Sequence, residues 1–224
     1  MFNGVHTLEH MAQNSSVPFI SNNLVKNDLS AIKGVFPSVI LHKNNLRILI
    51  TGSSPDMGVF NEGLGVHMYS YKEAIVNEIE RNKGKYDLCI LLNHVGTFAD
   101  DELAREIPEL DVILSAHDHK LYKEAKIIED TILNSAGKYG EYVGIVDIEI
   151  EDQQVTLLHS ETIETNCVES DERILDILKV NKERAIEALS QPLYKLTQPL
   201  WHDVIGENPL TNLIADGLRD LLEC

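Results

Sequence analysis

The sequence predicts a layered α/β fold, and three observations support this prediction. Two short apolar runs, residues 87–92 and 111–116, each begin with Asp and lead directly into a segment that contains histidine. Runs of Leu, Ile and Val of this length are typical of strands buried on both faces of a sheet. Segments with helical periodicity lie between and beyond the runs, so strands and helices alternate along the chain.

The first half of the chain is predicted to form a hairpin, a loop and a helix. Residues 35–41 and 47–51 flank the turn-forming residues 43–45, a pattern typical of a β-hairpin. Residues 51–58 are rich in Gly, Ser and Pro and are predicted to be a loop. A helix follows and ends at residues 82–84, with a buried face formed by Tyr71, Ala74, Ile75, Glu78 and Ile79.

Between and after the two apolar runs, the sequence predicts an acidic helix and two hairpins. The acidic helix spans residues 100–106. Residues 125–128 and 131–134 straddle Glu129-Asp130 as one hairpin. Residues 143–150 alternate between apolar and polar and are predicted to pair with residues 154–159 across the turn at 151–153.

The last third of the chain contains two predicted amphipathic helices and a Pro-punctuated linker, with a domain boundary near Gln191. The apolar face of the first helix is formed by Ile174, Ile177, Leu178, Ala185, Ala188 and Leu189. Asn208 is predicted to cap the final helix, and Pro209 suits its first position. The buried stripe of that helix comprises Leu210, Leu213, Ile214, Gly217, Leu218 and Leu221.

Composition indicates a globular chain and argues against polyanionic partners. The 224 residues are 43% hydrophobic and 25% charged, which is ordinary for a chain with a buried core. A net charge of −17 disfavours nucleic acid and anionic membranes, because both are bound through Lys and Arg. A small phosphorylated substrate remains compatible with this charge, since bound cations can dominate the local field. Cys89, Cys167 and Cys224 show no metal-binding spacing and no even pairing, so no disulfide is expected.

The candidate site residues are histidines that follow the two apolar runs. His94 follows the first run, and His117 and His119 follow the second. Ligands collect beyond the carboxyl ends of strands in such sheets, and neutral imidazole is a common metal ligand. On spacing alone, the pattern favours a hydrogen-bonded histidine at a strand end over a metal ligand at His94. His117 and His119 are expected on one side of an extended strand end, with Asp118 on the other side as a solvated or capping residue.

Other polar residues have simpler interpretations. Ser53 and Ser54 are predicted to be loop residues rather than a nucleophile turn. The acidic segments 100–106 and 169–172 are expected to be solvated helix starts that suit the helix dipole. Cys89, inside an apolar strand, is expected to be a buried, inert thiol. The remaining histidines are expected at the surface: His6, His10, His42, His67, His159 and His202.

Three motifs in order resemble the calcineurin-like metallophosphoesterases. These are Asn-His-Val-Gly at 93–96, Asp-Val-Ile-Leu-Ser-Ala-His-Asp-His at 111–119, and Asn-Ser-Ala-Gly-Lys-Tyr-Gly-Glu-Tyr-Val-Gly at 134–144. Within that family the chain looks most like the bacterial 5′-nucleotidase and 2′,3′-cyclic phosphodiesterase branch. Residues 207–216 are similar to the segment that opens the second domain of those enzymes. The resemblance runs from about Gly4 to Leu222, with Asn93 in place of the usual Ser and Ala116 in place of the usual Gly.

The resemblance implies part of an α/β/β/α sandwich plus the start of a second α/β domain. Residues 1–165 are expected to be the C-terminal part of a metallophosphoesterase domain, and 166–191 a helix and linker. Residues 192–224 are expected to begin a 5′-nucleotidase C-terminal domain. The family's Asp-x-His, Gly-Asp and Gly-Asn-His-Glu motifs do not occur in the sequence. The chain is therefore expected to be an internal piece of a longer nucleotidase.

The resemblance also implies a chemistry, which is hydrolysis of nucleotide phosphoesters with two divalent ions such as Zn or Mn. By carry-over, His94 and His117 are ligands of one ion and His119 of the other. No catalytic residue is identified, and a chain that lacks the other ligands is expected to be inactive or weakly active. The alternative is a non-catalytic protein that binds or assembles through exposed sheet edges.

Overall fold

A computed structural model describes residues 3–152 and 154–222 of the chain. It contains two compact units, Met1–Val168 and Glu169–Cys224. The assignment of domains to residues 1–165, 166–191 and 192–224 stays a prediction. In the described residues, none of the helices combines the length and apolar character needed to cross a bilayer.

The first unit is built on a six-stranded sheet, which contains the two strands that the apolar runs predict. Its strand order is β4-β5-β7-β8-β10-β9, in which β5, β7, β8 and β10 are parallel and the two outer strands antiparallel. The bounds in chain order are β4 (Ser38–Lys43), β5 (Leu46–Ser53), β7 (Leu88–Asn93), β8 (Val112–Ser115), β9 (Lys126–Ile128) and β10 (Thr131–Asn134).

The rest of the described part of this unit comprises three two-stranded sheets, four α-helices and a short 3-10 helix, Thr165–Cys167. The strands are β1 (Phe19–Ile20) paired with β3 (Val35–Phe36), β2 (Leu24–Lys26) with β6 (Val66–Met68), and β11 (Tyr142–Glu151) with β12 (Gln154–Glu164). The helices are α1 (Val5–Asn14), α2 (Val59–Gly63), α3 (Tyr71–Arg81) and α4 (Asp100–Glu106). The second unit contributes α5 (Glu172–Leu189) and α6 (Pro209–Leu222).

The two faces of the central sheet bury different layers. One face packs against α3 and α4 in a core formed by Leu49, Ile75, Ile79, Cys89, Leu91, Leu103, Ala104, Ile113 and Leu133. The other face packs against the β11–β12 hairpin through Leu88, Val112, Ile132, Val146, Ile148, Ile150, Val155 and Leu157. The side chains of each strand alternate between these layers, because successive residues of a strand point to opposite faces. The predicted layered α/β class is confirmed.

The Asp that begins each apolar run joins its strand to the preceding one. The Asp87 carboxylate accepts hydrogen bonds from the Arg47 backbone amide at 2.8 Å and from the Arg47 guanidinium. The Asp111 carboxylate accepts from the Cys89 backbone amide at 2.7 Å. Backbone amides at the start of the parallel ladder need a hydrogen-bond acceptor, and here the Asp side chains act as acceptors in place of backbone carbonyls. The two carboxylates therefore help to set the register of the three central strands.

The predicted hairpins and helices occur, with differences in the loop regions. Residues 51–53, predicted as loop, extend β5 because they pair with the last residues of β7. The short helix α2 was not predicted from the sequence. Asn208 caps α6 as predicted, since its side-chain oxygen accepts from the Thr211 amide at 3.0 Å. The turn predicted at residues 151–153 includes Gln153, which lies outside the described residues, as does Cys224.

Replacement of a core leucine should destabilise the fold far more than replacement of its strand neighbour. Leu91 is fully buried on the helix-covered face, whereas Leu92 points to the opposite face and is 40% exposed. We expect Leu91→Ala to lower the free energy of unfolding by about 2–5 kcal/mol, because it leaves a cavity. Leu92→Ala is the matched control and should cost less in urea unfolding. Equal losses in the two variants would contradict the alternation of faces described here.

The Arg47–Asp87 pair should make stability depend on pH in acid. Hydrogen bonds from Arg47 lower the pKa of Asp87 from 3.8 to about 2. Because the pKa is lowered in the folded state, Asp87 takes up a proton in the unfolded chain at a higher pH than in the folded chain. The stabilisation is therefore complete above pH 3.8 and is lost as the pH falls toward about 2. We expect Asp87→Asn to lower the melting temperature near neutral pH, and the difference from wild type to shrink at about pH 3. Asp130→Asn controls for loss of an exposed negative charge and should show no comparable pH-dependent difference.

Candidate histidine site

The structure brings His94 and His117 together at the carboxyl ends of two adjacent parallel strands. Asn93, the last residue of β7, is in register with Ser115, the last residue of β8. His94 follows the first of these residues directly, and His117 lies two residues beyond the second. The imidazole ring centroids are 5.2 Å apart, with the ring planes at 67°. Both side chains are exposed, so the pair is accessible to a ligand.

Backbone hydrogen bonds hold the two histidine loops against the strand ends. The His94 amide donates to the Ser53 carbonyl at 2.9 Å, and the Ala116 amide donates to the Asn93 carbonyl at 2.8 Å. These bonds continue the parallel ladder by one residue beyond β7 and β8. The position of His94 is therefore determined by the sheet rather than by a free loop.

The expectation that His117 and His119 share one side of an extended segment is wrong in its geometry. The strand ends at Ser115, and the backbone turns sharply afterwards, with φ of +87° at His117 and +59° at His119. The alternation rule applies only to extended backbone, so it does not place these two side chains. The His119 ring instead lies 5.9 Å from the Tyr139 ring, centroid to centroid. The structure thus pairs His94 with His117, whereas His119 lies against Tyr139.

The surroundings of His94 favour the neutral imidazole. Partial burial lowers the pKa of His94, and the neighbouring His117 and His119 lower it further. A neutral ring keeps one nitrogen free to accept a proton or bind a metal. His94 therefore offers a free ring nitrogen next to the His117 ring.

The donor set fits two protein ligands of one divalent ion. Imidazole nitrogens bind zinc at about 2.0–2.1 Å, and rings at this separation can both reach one ion after small rotations. Within the part of the chain that the structure describes, no group of three or more His, Cys, Asp or Glu side chains is placed to hold a metal. The assignment of His94, His117 and His119 as metal ligands stays a prediction.

An apolar cavity of about 420 Å³ adjoins the histidine pair. His94 and His117 lie in its wall with Ser54, while its apolar walls include Phe19, Ile20, Leu24 and Leu64. Pockets of this size and character are typical of small-molecule sites. The cavity lies within the first unit, on the side of the pair toward α1 and β1.

Asp100 is a site-adjacent residue whose role the sequence reasoning missed. It was expected in a solvated helix start, yet it is completely buried. Its Oδ1 accepts hydrogen bonds from Asn93 Nδ2 at 2.7 Å and from Ser115 Oγ at 2.9 Å. A signal was present in the spacing, because Asp100 precedes the buried residues Leu103 and Ala104 by three and four positions. It therefore lies on the apolar face of α4.

The other polar residues considered in the sequence analysis have structural or surface positions. Thr97 Oγ1 donates a hydrogen bond to the exposed carboxylate of Asp118. Ser53 is buried and donates to Asn22 Oδ1 at 2.9 Å, which gives it no free nucleophile geometry. Cys89 is buried, and this burial raises the pKa of its thiol to about 12. The remaining histidines are exposed, as predicted: His6, His10, His42, His67, His159 and His202.

Comparison with known sequences identifies metallophosphoesterase relatives. The chain is 29% identical over 184 residues to an uncharacterized metallophosphoesterase, YunD, of Bacillus subtilis, covering 81% of this chain and 40% of the relative. It is 28% identical over 203 residues to the trifunctional nucleotide phosphoesterase YfkN of the same organism, covering 84% of this chain and 12% of that protein. No protein-family model matches the chain. The chain thus spans well under half the length of these relatives.

Comparison with solved structures shows the same fold. A 5′-nucleotidase precursor from Thermus thermophilus superimposes with a TM-score of 0.72 at 18% identity, over 97% of this chain and 49% of that one. The sulfate thiohydrolase SoxB of Thermus thermophilus gives 0.73 at 19% identity, over 98% and 42%. At this level of identity the likeness establishes architecture alone. The sequence relatives thus agree with the resemblance to the metallophosphoesterases, and the solved structures agree with the fold that it implies.

Gly96, in the loop that carries His94, should not tolerate a side chain. Its φ of +123° is unfavourable for L residues, and a Cβ there would lie 2.7 Å from the Phe98 ring. We expect Gly96→Ala to lower the free energy of unfolding by about 1–3 kcal/mol. The exposed Phe98 ring can move away, so Phe98→Ala added to Gly96→Ala should restore only part of this loss in urea unfolding. If the double variant regained the full free energy of unfolding, the loss in Gly96→Ala would come from the contact with Phe98 and not from backbone strain at residue 96.

Proposed function

We propose that this relative of the calcineurin-like metallophosphoesterases acts in metal-dependent hydrolysis of nucleotide phosphoesters. The observation that carries the proposal is the contact between His94 and His117 at adjacent strand ends. It occurs in a chain whose sequence relatives are metallophosphoesterases. We assign His94 and His117 as ligands of one divalent ion and His119 as a ligand of a second.

The chain's own contribution to this chemistry is to hold and orient the ions. The sheet fixes the two strand ends, and the lowered pKa of His94 keeps its imidazole in the form that binds metal. A bound divalent ion supplies activation of water and stabilisation of charge on the phosphoryl group. The adjoining apolar cavity is suited to exclude bulk water from one side of the site.

The relatives and the charge of the chain support a proposal for the substrate class. One relative is named a nucleotide phosphoesterase, and one structural neighbour is a 5′-nucleotidase. We propose a small nucleotide as substrate, either a 5′-monophosphate or a cyclic phosphodiester. With a net charge of −17, attraction of a phosphate must come from bound cations rather than from Lys and Arg.

The 224-residue chain by itself is proposed to be a weak catalyst. The described residues bring only two imidazoles into direct contact, and no three metal-binding side chains converge. Two-metal hydrolysis needs both ions held at about 3.5–4 Å from each other. A site with so few ligands from this chain holds the ions too loosely for efficient turnover.

The second candidate is a non-catalytic role in binding or assembly. The β11–β12 hairpin is a two-stranded sheet, so among the described residues each of its strands has a partner strand on one side only. Such strand edges favour addition of another strand. Light scattering distinguishes the two proposals, because assembly through these edges should be independent of divalent metal.

Metal binding should depend on the histidine pair. We expect His94→Ala and His117→Ala each to weaken Zn²⁺ binding by at least about tenfold, because each removes one ligand nitrogen. His159→Ala is the matched control, since His159 is exposed and lies on β12. Isothermal titration calorimetry of the 224-residue chain measures the affinities. Zinc binding unaffected by both site variants would remove the ligand assignment.

Catalysis, where it is measurable, should show the same pattern. Manganese- or zinc-dependent hydrolysis of p-nitrophenyl phosphate and of 5′-AMP by this chain should be slow, because few ligands converge. Any turnover should be lost in His94→Ala and His117→Ala and kept in His159→Ala. Fast turnover, or equal sensitivity to His159→Ala, would mean that different residues form the centre.

A further inference from the structure

Asp100 joins the two strands that carry the histidines. Both of its hydrogen-bond donors are terminal strand residues, Asn93 of β7 and Ser115 of β8, and the same oxygen, Oδ1, accepts from both. These two donors face each other in the parallel ladder. A single atom of α4 thus connects the two strand ends, one residue before His94 and two residues before His117.

We propose that Asp100 is a positioning residue that holds His94 and His117 at the separation needed to share one divalent ion. It touches neither imidazole and acts through Asn93 and Ser115. The function of the resulting site rests on the metal-dependent role proposed above. The geometric part of the inference, that Asp100 sets the distance between the rings, stands without any metal.

The Asn93 side chain transmits this restraint to the His94 loop. Its Nδ2, besides donating to Asp100, lies 3.2 Å from the Gly96 carbonyl, and its Oδ1 accepts from the Val95 amide at 3.0 Å. The side-chain amide of Asn93 therefore holds the backbone of residues 95 and 96, which follow His94, close to the end of the strand. Asp100 fixes the orientation of this amide, because only Nδ2 can donate to a carboxylate.

Burial of Asp100 is costly, and the surrounding residues offset only part of this cost. The side chain is fully buried, and its Oδ2 has no hydrogen-bond partner among the described residues. Burial raises the pKa of the carboxyl, while the bonds from Asn93 and Ser115 oppose this rise. An apolar residue here would avoid the cost of removing a carboxyl group from water. The position is instead occupied by a side chain that accepts from both strand ends through one oxygen.

Glu78 provides an internal contrast. It is also buried, but its two carboxylate oxygens accept from Ser38, Arg81 and Asn82, so both have partners and one partner is a cation. None of these partners is next to a histidine of the site. Glu78 therefore stabilises the packing of α3 without connection to the His94–His117 pair, and it serves as the matched control.

The test compares Asp100→Leu, which keeps approximate shape without an acceptor, with Asp100→Asn, which keeps an oxygen acceptor. The metal-free readout is the nuclear Overhauser contact between the His94 and His117 ring protons in the 224-residue chain. The second readout is Zn²⁺ affinity by calorimetry. Asp100→Leu should lose the ring contact and weaken zinc binding by at least about tenfold, whereas Asp100→Asn should keep both near wild type. Glu78→Ala should lower the melting temperature but leave both readouts unchanged.

Ser115→Ala covers the case in which Asp100→Leu does not fold, because it removes one donor and little volume. It should weaken zinc binding and reduce the ring contact in a folded chain. Unchanged ring contact in folded Asp100→Leu or Ser115→Ala would overturn the positioning role. Loss of the ring contact and of zinc binding in Asp100→Asn would also overturn it. If the wild-type chain binds no zinc, the proposed function fails, and the ring contact alone still decides the role of Asp100.

Discussion

The parallel pairing of β7 with β8 is the constraint on which the site depends. This pairing sets Asn93 opposite Ser115, so the segments that follow the two strands leave the sheet side by side. His94 and His117 are 23 residues apart in the chain, yet their rings are 5.2 Å apart because of this register. A slip of one residue would turn the side chains of one strand to the opposite faces and separate the rings.

The register itself is held from both ends of the strands. At the amino ends, the carboxylates of Asp87 and Asp111 accept hydrogen bonds from backbone amides of the neighbouring strands. At the carboxyl ends, Asp100 accepts from Asn93 and Ser115. The apolar layers between these ends supply most of the stability, and the buried polar contacts specify one alignment among many apolar ones. Stability and site geometry thus come from different residues of the same strands.

Much of this architecture could be predicted because it is local. The apolar runs, the hairpin turns and the helix ending near Asn82 all depend on residues close together in sequence, and they occur as expected. The features that were predicted wrongly depend on contacts with residues far apart in the sequence. Residues 51–53 become strand only because β7 lies beside them, and Asp100 is buried only because α4 packs on two strand ends. The positive φ values at His117 and His119 likewise reflect a turn that strand alternation does not describe.

The sequence by itself determined the α/β class, the strands that end shortly before His94 and His117, and the resemblance to metallophosphoesterases. These conclusions rest on periodicity and on short motifs, both of which are properties of contiguous residues. The tertiary structure decided that two of the three histidines are in contact, that His119 lies beside Tyr139, and that Asp100 connects the strand ends. Such distances depend on strand register and helix packing, which are set by contacts between residues far apart in the chain.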